Sequence, residues 1–346
     1  MTLYSEILVQ PEILRGILET QIPNTIKVAD VIRKQEIDYV FLAGRGTSDY
    51  AGIYAQYVWG SLNRLPVAFA APSLFTKYAE PPRLRHALVV GISQSGQSPD
   101  IVQVISEGKR QGATTLVITN DLNSPLAQAA DLTLDVHAGQ EKAVAATKTY
   151  TAELMTIALL SAALNNADNA NIKIINTIPD RIHLILEQDN YIATIAARHK
   201  AMQLCVILGR GYNYATAWEW SLKLKELAYV LAHPYSIADF LHGPIALIEP
   251  GFHVMAVAPS GATFPEIIDS LKKLRHEHGA DILLLSDQEE ALQVGWNAIR
   301  LPNDIPEWLS PIISIIPAQL YTYHLAVIKG YDTDKPRSLH KVTLTS

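Results

Sequence analysis

The chain has 346 residues, 49% of them apolar and 18% charged, a length and composition that suit two globular domains and exclude a disordered segment. Its formal net charge of −6, from 34 acidic against 28 basic residues, lacks the basic excess of a nucleic-acid binder, so local groups must capture any anionic ligand. Residues 1–10 carry Glu6 and no basic-then-apolar signal pattern, and no uncharged apolar run reads as long enough to span a bilayer; a cytoplasmic protein with no nucleic-acid and no membrane partner is expected.

Residues 1–30 read as an N-terminal helical arm. A β-rich run at 38–43 then leads into Gly44-Arg45-Gly46, and the same pattern returns at 204–208 followed by Gly209-Arg210-Gly211. The parallel continues in order. The run 87–92 with Ser95-Gly96 matches 253–258 with Ser260-Gly261, and Gly112-Ala113 leading into 116–118 matches Gly279-Ala280 leading into 282–285. In each copy fully apolar strands alternate with helical stretches, which predicts two doubly wound α/β domains, each a parallel sheet flanked by helices on both faces. The expected divisions are 31–165 for the first domain, 166–200 for a helical linker, 201–330 for the second domain and 331–346 for a C-terminal tail. Cys205, the single cysteine, lies mid-strand among aliphatics and reads as a small core residue; its being alone excludes an intrachain disulfide and fits a reducing compartment.

Ligands of open parallel sheets bind beyond the carboxyl ends of the strands, where the Gly-Arg-Gly and Ser-Gly turns fall. In the first copy the strand ending at Ile92 runs into Ser93-Gln94-Ser95-Gly96-Gln97-Ser98 and then Pro99. Hydroxyls, a permissive glycine and the free N–H groups of a helix start form an anion site without lysine, better suited to a sugar phosphate than to a metal–triphosphate. The turn Gly46-Thr47-Ser48 adds the hydroxyls of Thr47 and Ser48 at the adjacent strand end, and Thr147 in Ala145-Ala146-Thr147-Lys148 is a further candidate. One such loop alone also fits an ordinary Ser-rich helix cap; two at neighbouring strand ends favour phosphate. The matching loop of the second copy, Pro259-Ser260-Gly261-Ala262-Thr263, has fewer hydroxyls, so one copy is expected to bind and the other to supply something else.

In the second copy a helix is predicted over 214–231. Glu219, Lys223 and Glu226 fall at i, i+4 and i+7 on one face, with Trp218, Leu222 and Tyr229 on a neighbouring stripe able to pack inward. By itself such a face fits a solvated charged surface. Downstream, Asp239-Phe240-Leu241-His242-Gly243-Pro244 places an acid and a histidine before a turn. Aldose–ketose interconversion needs a group that opens the sugar ring, a carboxylate that moves a proton between C2 and C1, and cationic groups at the developing oxyanion. Glu226, His242 and a lysine, Lys223 or Lys341, supply those parts. No metal-ligand spacing stands out, so neither metal nor other cofactor is expected.

At these residues the chain resembles the tandem sugar-isomerase (SIS) domains that form the isomerase half of glucosamine–fructose-6-phosphate aminotransferase. The motifs are Gly44-Arg45-Gly46-Thr47-Ser48, Ser93-Gln94-Ser95-Gly96, Ala145-Ala146-Thr147-Lys148, Leu222-Lys223-Leu224-Lys225-Glu226, His242-Gly243-Pro244 and Asp334-Lys335-Pro336-Arg337 with Lys341. The resemblance implies that Thr47, Ser93, Gln94, Ser95 and Ser98 hold a phosphate, that Glu226 is the C1–C2 base, that His242 opens the ring, and that Lys341 lies at the carbonyl end of the substrate with Lys223 beside it. It further implies a homodimer sharing its active site, with the histidine supplied by the second subunit. Glu219 and Ala145 join the expected substrate-binding set.

The family's synthase begins with a glutaminase domain headed by a nucleophilic cysteine, which this sequence does not carry, so the chain is not expected to draw ammonia from glutamine by itself. Arg45 stands where a cysteine is common, Gln97-Ser98-Pro99-Asp100 departs from the synthase's acidic-then-Thr pattern, Ala146 replaces a serine and Asp239 a glutamate. These departures resemble the glutaminase-lacking deaminases, which turn glucosamine 6-phosphate into fructose 6-phosphate and ammonia. A galactosamine-phosphate enzyme, a glycated-amine deglycase and a non-catalytic sugar-phosphate sensor are the alternatives.

Overall fold

The apolar runs at the centre of each half form parallel strands, and their neighbours in sequence become the helices that cover them. In the computed structural model, which describes residues 2–165 and 169–341, the first sheet comprises β1 (Tyr39–Ala43), β2 (Val67–Phe69), β3 (Ala87–Ser93), β4 (Thr114–Thr119) and β5 (Leu132–Asp135) in the order β2-β1-β3-β4-β5. The second comprises β6 (Leu204–Gly209), β7 (Leu231–Ser236), β8 (His253–Val257), β9 (Asp281–Ser286) and β10 (Asn297–Arg300) in the order β10-β9-β8-β6-β7. Read from the other edge, the second order repeats the first, and every pairing is parallel. All seven residues of β3 are buried, as a central strand covered on both faces requires. Residues 166–168, at the start of the expected linker, and 342–346, at the end of the expected tail, lie outside the described residues.

The chain divides into two compact units that are not consecutive in sequence. Of the described residues, the first-sheet unit holds those of 12–141 and 148–177 with His340 and Lys341; the second-sheet unit holds 2–11, Lys142–Thr147 and Ile178–Leu339. In the first-sheet unit the helix Lys148–Leu164 packs on the helices Thr47–Asn63 and Ile22–Arg33. Its Ala, Leu, Ile and Met positions are apolar on every side, so it is buried along nearly its whole length.

In the second-sheet unit that role falls to the helix Ser310–Ile328, which packs on the helices Asp189–Arg198 and Tyr214–Leu227. The expectation that no apolar run is long enough for a bilayer is corrected here. By length and composition the segment Glu307–Ile328 meets that criterion, and 78% of its most apolar window is buried inside the protein. A second correction concerns the helix expected over 214–231. It ends at Leu227, Ala228 caps it, Tyr229 turns left-handed at φ 51°, and Leu231 already opens β7. Cys205 is a buried free thiol on β6, its pKa pushed up to about 12 by burial, so it is inert at neutral pH.

Candidate functional site

The order β2-β1-β3-β4-β5 reverses direction between β1 and β3, and a crevice is expected outside the carboxyl ends of those two strands. Gly44–Ser48 follows β1 and Ser93–Ser98 follows β3, so the sheet brings the two hydroxyl loops to one edge. Each loop ends as a helix begins. Gly46, at φ 55°, precedes the helix Thr47–Asn63, and Ser98 precedes the helix Pro99–Arg110 with Pro99 at its first position. Within the second loop Ser93 Oγ accepts from the Gly96 N–H at 3.1 Å and Ser95 Oγ from the Gln97 N–H at 3.3 Å. Gly96 sits at φ 61°, and a Cβ there would run into the Ser124 side chain, so only glycine allows this curl. Thr47 and Ser98 are half-buried, while Ser48 is buried and donates to Glu153 Oε1 at 2.8 Å.

Arg45 and Asp100 fasten the loops together. The guanidinium donates through Nε at 2.8 Å and Nη2 at 2.7 Å to Asp100 Oδ2, and Asp100 Oδ1 accepts from the Ile101 N–H. Burial raises the carboxyl pKa of Asp49, in the first turn after Gly46, with Arg45 opposing it.

Next to the second loop lies a cleft of about 480 Å³ lined by Gln94, Ser95, Gln97, Asn120, Asp121, Gly139, Gln140, Glu141 and Lys341. Lys341 Nζ is 2.7 Å from the buried Glu141 Oε2, and Glu141 Oε1 accepts from the Thr149 N–H. Lys148, also buried, donates to the Gln140 carbonyl at 2.8 Å. The cleft thus joins a hydroxyl loop to one ion-paired lysine. Sequence reading missed Glu141, Asn120 and Asp121. The strand-end rule, applied to β4 and β5 as it was to β3, would have pointed to them.

The second-sheet unit carries the other candidates. Ala145 and Thr147 are buried in the short segment Lys142–Thr147, which belongs to this unit rather than to that of the hydroxyl loops. The buried Glu6 carboxylate holds its start, accepting from the Lys142 N–H at 2.7 Å and the Ala143 N–H at 3.1 Å. On the helix Tyr214–Leu227 the charged face is not solvated: Glu219 is 0% and Lys223 1% exposed. Lys223 Nζ lies 3.3 Å from Glu219 Oε1 and 2.6 Å from Glu226 Oε2, and only the Glu226 side chain, 20% exposed, reaches solvent. Burial would push the Lys223 pKa down, but the two carboxylates outweigh it and hold the ammonium well above its ordinary value. Trp218, Leu222 and Tyr229, expected to pack inward, are only partly buried, while Ala217, Trp220, Leu224 and Leu227 are buried.

His242 caps the short helix Ile237–Leu241, exposed between Leu241 and Gly243, and its imidazole makes no side-chain hydrogen bond among the described residues. The second-copy loop is closed by the protein's own carboxylates. Ser260 donates through N and Oγ to Asp287, both at 2.6 Å, while the Ala262 N–H and the Thr263 hydroxyl donate to Glu307 at 2.7 Å. A turn of this type gathers donors around an anion, and here the anion is internal.

A parallel sheet with a switch point and a turn leading into a helix at its carboxyl edge, present twice in one chain, defines a tandem doubly wound α/β protein. The model of the SIS domain matches residues 35–163 and 201–329, and the chain belongs to that family. It is 36% identical over 340 residues to the glutamine–fructose-6-phosphate aminotransferase (isomerizing) of Pyrococcus horikoshii, covering 97% of this chain and 56% of the relative. The chain therefore spans about half the length of the curated relatives it matches. Among solved structures, the C-terminal domain of glucosamine-fructose-6-phosphate aminotransferase from Francisella tularensis superposes with a TM-score of 0.88 at 27% identity, over 96% of this chain and 98% of that one. Glucosamine-6-phosphate deaminase from Thermotoga maritima shares the fold, with a TM-score of 0.79 at 22% identity over the whole of both chains.

Proposed function

We propose that the protein is an aldose–ketose isomerase and deaminase of an amino hexose 6-phosphate, converting glucosamine 6-phosphate and water into fructose 6-phosphate and ammonia, or running the reverse. The observation that carries this reading is the Glu219–Lys223–Glu226 triad. Burying an ammonium and two carboxylates costs several kcal/mol per ion before pairing, and the one member that reaches solvent is a carboxylate held at 2.6 Å by the lysine. That is what a proton-transfer base requires: a fixed position and a face open to the substrate.

In the proposed reaction the hydroxyls and N–H groups of Thr47, Ser93, Gln94, Ser95 and Ser98 hold the phosphate dianion. His242 moves the ring-opening proton. Glu226 takes the proton from C2 of the open-chain sugar, the electron pair forms the C1–C2 double bond as the C1=O π pair moves onto the oxygen, and that oxygen takes a proton from the C2 ammonium to give an enolamine. Returning the proton to C1 gives the C2 imine; water adds at C2 and ammonia leaves. Lys341 steadies the oxygen at the carbonyl end, and Glu141 holds Lys341 in place. The exposure of His242, flanked by exposed Leu241 and Leu247, supports its being supplied across a homodimer interface. A cytoplasmic setting fits the single reduced cysteine.

Deamination is favoured over glutamine-dependent synthesis by Arg45, Gln97, Ala146 and Asp239, where the sequence departs from the synthase pattern. An ammonia-release assay over 2-amino and 1-amino hexose 6-phosphates, with and without added ammonium, tests the reading. Ammonia from glucosamine 6-phosphate with matching fructose 6-phosphate supports it. Turnover restricted to a 1-amino or C4-epimeric sugar redirects it to the deglycase or galactosamine enzyme.

A further inference from the structure

The amino edge of the second sheet carries a cluster that the proposed reaction does not use. His253 opens β8 and Asp281 opens β9, and the two are register partners, so their side chains leave the same face of neighbouring strands. His199, the C-cap of the helix Asp189–Arg198, brings a buried imidazole to the same point. His253 Nδ1 is 3.1 Å and His199 Nε2 is 3.6 Å from the same oxygen, Asp281 Oδ2, and the three ligand atoms all lie within 4.8 Å of one another.

We propose that His199, His253 and Asp281 form a binding site for a divalent transition metal of the zinc type. In a tetrahedral zinc site with bonds of 2.0–2.1 Å, neighbouring ligand atoms stand about 3.3 Å apart, so the spacing found here needs only small side-chain rotations. Imidazole and carboxylate are the donor set such ions take. A metal-bound histidine characteristically has its other nitrogen held, and His199 Nδ1 is 2.7 Å from the buried Tyr321 hydroxyl. With the Nδ1 proton donated to Tyr321, the Nε2 lone pair faces the ion. His199 and Asp281 also line a cleft of about 440 Å³, together with Gly251, Gly279 and Trp296, which leaves room for water beside the three ligands. The site lies at the opposite edge of its sheet from the Gly209-Arg210-Gly211 turn, which follows the carboxyl end of β6. Neither the sugar reaction nor its residues enter the argument.

The test is calorimetric titration of chelator-treated full-length protein with Zn²⁺ alone at pH 7.5, with thermal melting in parallel. The expected result is one Zn²⁺ per chain with micromolar or tighter affinity and a raised Tm. In His253→Gln and Asp281→Asn the affinity falls by more than about tenfold, and in Tyr321→Phe by about tenfold. His253 is only partly buried, so His253→Gln remains informative if Asp281→Asn fails to fold. The absence of stoichiometric binding by the wild-type protein, or an unchanged affinity in folded His253→Gln, would overturn the proposal. Ammonia release is expected to be indifferent to chelation, which separates failure of this site from failure of the proposed reaction.

Discussion

Lys341 and Glu141 are 200 residues apart in the chain, yet Lys341 Nζ stands 2.7 Å from Glu141 Oε2 beside Gln94 and Ser95. The pairing fixes a cation at the mouth of the hydroxyl loop. Lys341→Met is expected to lower kcat by about 100-fold, the usual loss for one donor to a developing oxyanion, with a smaller effect on KM. Glu141→Gln, which keeps the shape and removes the charge, is expected to give a smaller fall in kcat. Steady-state kinetics on glucosamine 6-phosphate decide both.

The curl of Ser93–Ser98 depends on Gly96, so Gly96→Ala meets two obstacles at once. A left-handed backbone costs an L-residue roughly 1–2 kcal/mol, and the new methyl runs into Ser124. The expected outcome is a KM raised at least about tenfold, equivalent to about 1.4 kcal/mol, with Ser95→Ala plus Thr47→Ala also raising KM and sparing kcat. Unchanged KM in both variants would remove the loop from the phosphate site.

Lys223→Met leaves two buried or half-buried carboxylates without their cation and is expected to cost about 3–5 kcal/mol, measured by urea unfolding. The sign of the pH effect follows from the raised pKa. Its contribution is complete below the unfolded lysine value of about 10.4 and is lost only as pH rises through the higher folded value. From pH 6 to 9 the stability difference between wild type and Lys223→Met should therefore stay flat on account of this group; a decline within that window would contradict the assignment.

Sharing of His242 across a homodimer is testable by complementation. Glu226→Gln and His242→Asn are each expected to be inactive when assayed alone. When they are mixed and reassociated, one of the two sites in every mixed dimer recovers both native groups. With random pairing that restores about a quarter of wild-type activity. If the histidine serves its own subunit, no activity returns.

The fold was legible because duplicated strands and turns recur in the same order, and fully apolar runs have one common solution, a covered parallel sheet. The hydroxyl loops were legible because their chemistry is local to Ser93–Ser98 and Gly44–Ser48. What tertiary structure decides was not legible. The Glu219–Lys223–Glu226 face reads equally as a solvated stripe until packing buries it, and the helix end at Leu227 depends on the left-handed Tyr229. Glu141 meets Lys341 across 200 residues, and His253 meets Asp281 through strand register, a relationship no spacing along the chain reveals.

The most direct test of the central claim is Glu226→Gln assayed for ammonia release and, by proton NMR in heavy water, for exchange of the C2 hydrogen of glucosamine 6-phosphate. Loss of both, with the wild-type dissociation constant for the phosphosugar retained, is the predicted result. Exchange and turnover at the wild-type rate in Glu226→Gln would contradict it.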